Sequence, residues 1–123
     1  LKDTLILGLE LIKNLQADKK RMFKMANDGF TTATDFADYL VKQKKMNFRD
    51  SYAISSKLVN YAEKKNKNLN ELALSEIKKI YKDVDSKILT IFNVKYSMNS
   101  KRSYGGTSAI NIKKMLKRYK REI

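Results

Sequence analysis

Apolar side chains recur at helical spacing through most of the chain, beginning at its first residue. Leu5, Leu9, Ile12 and Leu15 form a stripe along one face. The stripe lapses into polar residues at 16–20 and resumes with methionines, so the pattern predicts one long helix over 1–27.

The next segment, 25–41, combines a helix end, a turn and a helix start. Gly29 follows helix-forming residues and can adopt the left-handed conformation that terminates a helix. Thr32 and Asp35 lie three residues apart, which predicts a capping box with Asp in place of Glu. One apolar helical face follows, made of Ala33, Phe36, Ala37, Leu40 and Val41. These features predict a helix-turn-helix corner.

Further helices are expected in the remainder of the chain. Asn47, with Asp50 three residues on, predicts the start of a third helix that ends near Lys65, before a polar loop at 64–70. We expect Leu69, Leu72 and Leu74 to hold this loop to the core, Ser75 to cap a short helix, Asp83 or Asp85 to start another, and Thr107 or Ser108 to cap the last. Residues 93–101 fit either a helical turn or an extended segment.

No stretch of useful length alternates with the period of a β-strand. The predicted fold class is therefore all-α: a small helical domain of about six helices, the first being the longest. Because the apolar stripe of 1–15 starts at Leu1 without a helix cap, we interpret the sequence as a piece of a longer polypeptide and expect the stripe to pack against a partner helix outside it. The stripe should be partly exposed in the isolated chain or covered by a second copy.

The composition narrows the possible functions. The formal net charge is +14, from 27 basic and 13 acidic residues. Such a charge makes nucleic acid one candidate partner. However, 22 of the basic residues are lysines, spread along the chain with a local concentration at 113–120. Arginine is better suited to bidentate contacts with phosphates and bases, so a lysine-rich solvated surface is the favoured interpretation.

The sequence contains no histidine, cysteine or proline. Nucleophilic pairs that need histidine or cysteine are therefore excluded, as are thiolate metal sites. The carboxylate pairs Asp35/Asp38 and Asp83/Asp85 are better explained by helix starts than by a metal. Gly105-Gly106-Thr107 lacks the lysine and glycine spacing of a phosphate-binding loop, so we expect a structural turn. We predict no catalytic, cofactor-binding or metal-binding residue, and no cofactor.

Four segments resemble argininosuccinate lyases. DGFTTATDFADYLV at 28–41 is similar to the D-G-F-x-T-A-T-D-L-A-D-x-L-V segment of that family. Residues 47–65 resemble P-F-R-x-A-H-x-I-x-x-x-L-V, and 69–80 resemble L-x-x-L-S-L-E-E-L. SMNSKRSYGGTS at 97–108 is similar to S-V-x-x-R-x-S-x-G-G-T. Order and gaps also fit, although Asn47, Tyr52 and Ala109 replace a proline, a histidine and a proline common in the family.

The resemblance implies the C-terminal domain of a longer enzyme of the fumarase/aspartase superfamily. Such enzymes are homotetramers built on a central helix bundle, from which the first helix of this chain would continue. Argininosuccinate lyases cleave argininosuccinate to arginine and fumarate in arginine biosynthesis. Residues 1–15 would end a central-domain helix, and 16–123 would form the C-terminal helical domain. The family's catalytic serine loop and assisting histidine have no counterpart here, so this piece would be an architectural cap beside the active-site cleft, without catalytic residues.

We expect a cytoplasmic protein, since cysteine and a signal peptide are both absent from the sequence. We expect the substrate to be bound mainly by other domains, with no nucleic-acid or membrane partner. Two alternatives remain open at this point: a basic nucleic-acid-binding helical module, and a structural interaction domain unrelated to lyases.

Overall fold

The computed structural model describes residues 1–122, and within them the only regular elements are helices. The α-helices, with one 3₁₀ turn at Leu69–Glu71, are α1 Lys2–Lys13, α2 Lys19–Asn27, α3 Ala33–Lys44, α4 Phe48–Lys64, α5 Leu74–Ile80, α6 Ile88–Ile91, α7 Val94–Ser100 and α8 Ala109–Glu122. The all-α prediction is confirmed. The described residues hold eight α-helices rather than about six.

The prediction of a single long helix over 1–27 is wrong, because one helix ends at Lys13 and a second helix begins at Lys19. The Asn14 side chain donates to the carbonyl oxygen of Glu10 at 2.8 Å, and the Asp18 carboxylate accepts from the Arg21 amide at 3.0 Å. Short polar side chains of this kind compete with the helical backbone and favour helix ends. The longest helix is consequently α4, with 17 residues.

The core lies where α3 packs against α4, with later segments closing over this pair. Ser55 on α4 donates to the Ala33 carbonyl at 2.7 Å, which fixes α4 against the first turn of α3. Phe36 of α3 meets Phe92, just after α6, with ring centroids 5.7 Å apart. The buried apolar residues are Phe36, Ala37, Leu40, Leu58, Ala62, Leu69, Leu72, Ile77, Val84, Ile88 and Phe92. This confirms the apolar face predicted for α3 and the role of Leu69 and Leu72.

The cap predicted at Asn47 is present at the start of α4, whereas the cap predicted at Ser75 is not. Asn47 accepts from the Asp50 amide at 2.9 Å and donates to the Asp50 carboxylate at 2.7 Å. Ser75, in contrast, lies inside α5, which begins at Leu74. Glu76 provides the cap instead, because its carboxylate accepts from the Ala73 amide at 2.9 Å and holds the first turn from within.

The two terminal helices contribute little to this core. No residue of α1 is buried, and Leu5 and Ile12 are 66% and 68% exposed. The expected exposure of the 1–15 stripe in the isolated chain is therefore confirmed. The compact part of the described chain is formed by α3 to α7, and this part positions the site described next.

Candidate functional site

The predicted corner between α2 and α3 is present and depends on a left-handed glycine. Gly29 has φ of +77°, a conformation that glycine adopts without the steric cost of a Cβ atom. The chain then turns so that Thr32 is buried at the start of α3. Thr31 donates its hydroxyl to the Ala26 carbonyl at 3.1 Å and ties the turn back to α2.

The capping box predicted at Thr32 and Asp35 is wrong. Thr32 precedes α3, but its side chain makes no capping hydrogen bond. The Asp35 carboxylate instead faces α7, where Ser97 donates its hydroxyl to Oδ2 at 2.5 Å and the Lys101 ammonium donates to Oδ1. The hydroxyl and the ammonium give this carboxylate two donors, one of them charged, whereas a capping box would give it one backbone amide. We call Asp35, Ser97 and Lys101 the Asp35 cluster.

The Asp35 cluster is well shielded on its acidic side. The Asp35 side chain is 10% exposed, whereas that of Lys101 is 45% exposed. A carboxylate so removed from water needs partners, and here the hydroxyl and the ammonium supply them. The cluster therefore joins α3 to the end of α7 across 62 and 66 residues of sequence.

The segment that carries Ser97 and Lys101 was ambiguous from sequence and is largely helical. Asn93 caps α7 by accepting from the amides of Lys95 and Tyr96 at 3.0 and 3.2 Å. A tight turn follows, in which Gly105 has φ of +76°. A Cβ atom on Gly106 would lie 2.3 Å from the Lys101 carbonyl oxygen, so only glycine fits this close approach.

Several backbone amides in this turn and at the start of α8 donate to groups within the protein. The Gly106 amide donates to the Ser103 carbonyl at 2.8 Å, and the Ser108 amide donates to the Lys101 carbonyl at 3.2 Å. The Ala109 amide donates to the Asn99 side chain at 3.2 Å. The Asn111 amide donates to the hydroxyl of Ser108, the predicted cap of α8, at 3.3 Å. This bonding supports the structural-turn interpretation of Gly105-Gly106-Thr107.

The other candidate carboxylates have separate roles. Asp38 pairs with Lys42 at 3.3 Å within α3, and Asp83 pairs with Lys44 at 3.0 Å. Asp85 accepts from the Lys87 amide at 2.9 Å, in the turn before α6. In residues 1–122 no three histidine, cysteine, aspartate or glutamate side chains converge to hold a metal ion.

Two shifted pKa values occur at the contact between α3 and the segment before α6. The pKa of Tyr39 is raised, first by burial and then by the Asp85 carboxylate. The pKa of Lys44 is also raised, chiefly by its hydrogen bond to Asp83. Both shifts follow from structural contacts, and neither group is joined to a nucleophile that it could activate.

The geometry therefore describes a structural joint. A general base needs a carboxylate or amine free to accept a proton, but Asp35 is engaged by two donors. Sequence reasoning missed the pairing, although both halves lie in segments that carried the family resemblance. One signal was present: Lys101 stands at the arginine position of the S-V-x-x-R-x-S motif, which marks a cation at this position but does not identify the acid that it pairs with.

Fold and site together define an all-helical accessory domain. A family model described as "Argininosuccinate lyase C-terminal" matches residues 30–99, more than half of the chain, and the chain belongs to this family.

Curated relatives extend the similarity beyond that segment. An argininosuccinate lyase of Pelagibacter ubique is 55% identical over 112 residues, covering 91% of this chain and 24% of the relative. That of Ehrlichia chaffeensis is 36% identical over 110 residues, which cover 89% of this chain and 23% of the relative. That of a Nitratiruptor species is 36% identical over 112 residues, which cover 91% of this chain and 24% of the relative. The chain thus spans about a quarter of the length of these relatives.

Proposed function

We propose that this chain is the C-terminal domain of an enzyme that cleaves argininosuccinate into arginine and fumarate, as part of arginine biosynthesis. The observation that carries the proposal is the 55% identity to an argininosuccinate lyase through 91% of the chain. The family match over 30–99 covers α3 to α6, most of α7, and Asp35 and Ser97 of the Asp35 cluster, so it concerns the folded part of the domain. The relatives favour this interpretation over the nucleic-acid alternative.

In this proposal the domain is architectural. Elimination requires a positioned base and a preorganised site for developing negative charge. Residues 1–15 are assigned to the end of a central-domain helix and 16–123 to the domain that flanks the cleft. The enzyme is a cytoplasmic homotetramer whose base and substrate-holding loops lie on other parts of the protein. The exposed α1 supports the first assignment, because a helix that is apolar on all sides is normally buried. No helix within residues 1–122 is long and apolar enough to cross a membrane.

The first test is catalytic. The purified 123-residue chain should release no fumarate from argininosuccinate above a buffer blank, whereas the full-length protein should release it. Ultraviolet absorbance of fumarate measures both reactions under identical conditions. Fumarate release by the isolated chain would contradict the architectural role, and an inactive, correctly folded full-length protein would contradict the proposed reaction.

The second test concerns the corner that aims the domain over the cleft. In the full-length protein, Gly29→Val should lower kcat at least several-fold while the tetramer is retained, since a β-branched residue is strained at φ of +77°. Asp28→Val, at the preceding residue of the same turn, is the matched control, because Asp28 is exposed and its φ of −72° accommodates a β-branched residue. Full activity of a folded Gly29→Val tetramer would instead indicate an appendage that only adds stability.

A further inference from the structure

The last helix, α8, has a one-sided charge distribution that the core does not explain. Residues 109–121 contain six basic side chains and no acidic one. Ile112, Met115, Leu116 and Tyr119 fall on one face at helical spacing. Lys113, Lys117 and Lys120 form a row along the edge of this apolar stripe. The helix is therefore strongly amphipathic, with its positive charge concentrated away from the stripe.

The apolar stripe of α8 is incompletely covered by the described part of the chain. Ile112 and Met115 are 43% and 39% exposed, and Leu116 and Tyr119 are 56% and 52% exposed. Burying this apolar area against another surface would be favourable, because it removes apolar side chains from water. The exposed stripe and the lysine row together describe a surface suited to a partner that is apolar in its centre and acidic at one edge.

The start of α8 is held in place, so the helix has a defined direction before any partner arrives. Ser108 is buried and caps the helix, and the Asn111 side chain donates to the Ser103 carbonyl at 2.6 Å. Farther along, Arg118 donates to the Tyr104 hydroxyl at 3.2 Å. A helix fixed in this way loses little conformational freedom on docking, which favours binding.

We propose that α8 docks into an apolar trough edged by carboxylates, formed by the remaining sequence of this protein in the same or a neighbouring subunit. The inference rests on the proposed function, because it takes the larger enzyme as the source of that sequence. The chain spans only 24% of its Pelagibacter relative, so ample protein exists to form such a trough. The lysine row of α8 calls for carboxylates along one edge of the trough. The four apolar side chains of the stripe call for apolar side chains at its centre.

Two other anionic partners fit the observations less well. Phosphate contacts to nucleic acid need cations but no apolar stripe, so they leave half of the α8 surface unexplained. Helices that lie on a lipid surface carry tryptophan, phenylalanine or leucine on the apolar face, and of these residues 109–121 contain only Leu116. A protein trough uses both faces of the helix.

Hydrogen exchange tests the docking directly. Amides of 109–121 should exchange at least about tenfold more slowly in the full-length protein than in the isolated 123-residue chain. The triple variant K113E/K117E/K120E should return the full-length protein to the fast exchange of the isolated chain. A control that reverses the same number of charges, K57E/K78E/K82E, should keep the protection, since these lysines are exposed on α4, on α5 and just after α5.

The apolar face is tested by a second pair of variants. Leu116→Asn should remove the protection of α8, whereas Ile110→Asn should keep it. Both side chains are equally exposed, at 56% and 55%, but Ile110 lies on the basic side of the helix. Exchange that is equal in both proteins, or protection that survives K113E/K117E/K120E, would overturn the proposal.

Two further measurements separate the alternatives and the two proposals. Salt-dependent binding of the full-length protein to phosphatidylserine vesicles or to duplex RNA, lost in K113E/K117E/K120E, would overturn the protein trough in favour of that partner. Fumarate release is measured on the same preparation. An active protein with unprotected α8 refutes the docking alone, while a protected α8 in a protein without lyase activity refutes only the proposed reaction.

Discussion

At the level of single residues, Asp35 decides how the two ends of the folded region are joined. Its carboxylate holds Ser97 and Lys101, which belong to a segment more than sixty residues away. Lys101 is nearly half exposed, so water screens part of the attraction. The buried carboxylate still depends on both donors, because loss of a partner leaves polar atoms without compensation.

We predict that Asp35→Asn destabilises the chain by about 1–3 kcal/mol, since the amide keeps the shape but loses the charge that Lys101 neutralises. Urea unfolding followed by circular dichroism measures the change. Asp38→Asn, which disturbs only the exposed pair with Lys42, should change the free energy of unfolding by no more than about 0.5 kcal/mol. Equal effects of the two variants would show that the Asp35 cluster contributes no specific stability.

At the level of elements, Glu76 both starts α5 and binds the preceding loop. Its carboxylate accepts from the Ala73 amide and from the Lys67 ammonium, the latter at 3.1 and 3.2 Å. The bond to the Ala73 amide is the main cause of the lowered pKa of Glu76, and the bond to Lys67 adds to it. Both interactions are strongest with the ionised carboxylate, so the stability of the first turn of α5 depends on pH.

The sign of that dependence follows from the lowered pKa. The stabilisation is fully present above the ordinary pKa of 4.5 and is lost as the pH falls through the lower value of the folded state. Glu76→Gln should therefore be less stable than the parent chain at pH 7, with the gap narrowing as the pH falls from about 5 towards 3. Urea midpoints across this range measure the gap. Glu63→Gln, at an exposed residue of α4, should keep the parent's pH dependence, and a constant gap for Glu76→Gln would contradict the assignment.

At the level of the whole molecule, α1 is a helix without a core. Its leucines and isoleucines surround the helix, and none of them is buried within the described chain. Helices that are apolar on all sides are normally enclosed by other helices. The isolated chain therefore carries an unsatisfied apolar surface joined to an independently packed domain.

We predict that removal of residues 1–15 abolishes concentration-dependent self-association of the isolated chain and leaves its stability almost unchanged. The transition temperature should shift by less than about 2 °C, because none of the residues of α1 is buried. Analytical ultracentrifugation and thermal unfolding measure the two properties. A large loss of stability would contradict the boundary between 1–15 and 16–123. Undiminished association would show that another surface mediates it, with α8 as the next candidate.

The sequence by itself determined the helical class, the corner at Gly29 and the caps at Asn47 and Ser108. These features are local, because helical periodicity and cap hydrogen bonds connect residues at most about four positions apart. They can therefore be predicted from the amino-acid sequence alone. The interruption near 14–18 was also visible as a lapse in the apolar stripe. That lapse was misinterpreted as a continuous helix, because the polar residues there break the helix through their own backbone contacts.

Only the tertiary structure decided which partner Asp35 takes and which apolar faces stay open. In sequence, Asp35 fitted a helix cap as well as a distant ion pair, and packing of α7 near α3 selected the ion pair. Likewise, α1, α3 and α8 all carry apolar residues at helical spacing, yet only α3 has apolar residues buried within the described chain. Burial depends on what else occupies the space beside a helix, and that is a property of the assembled chain.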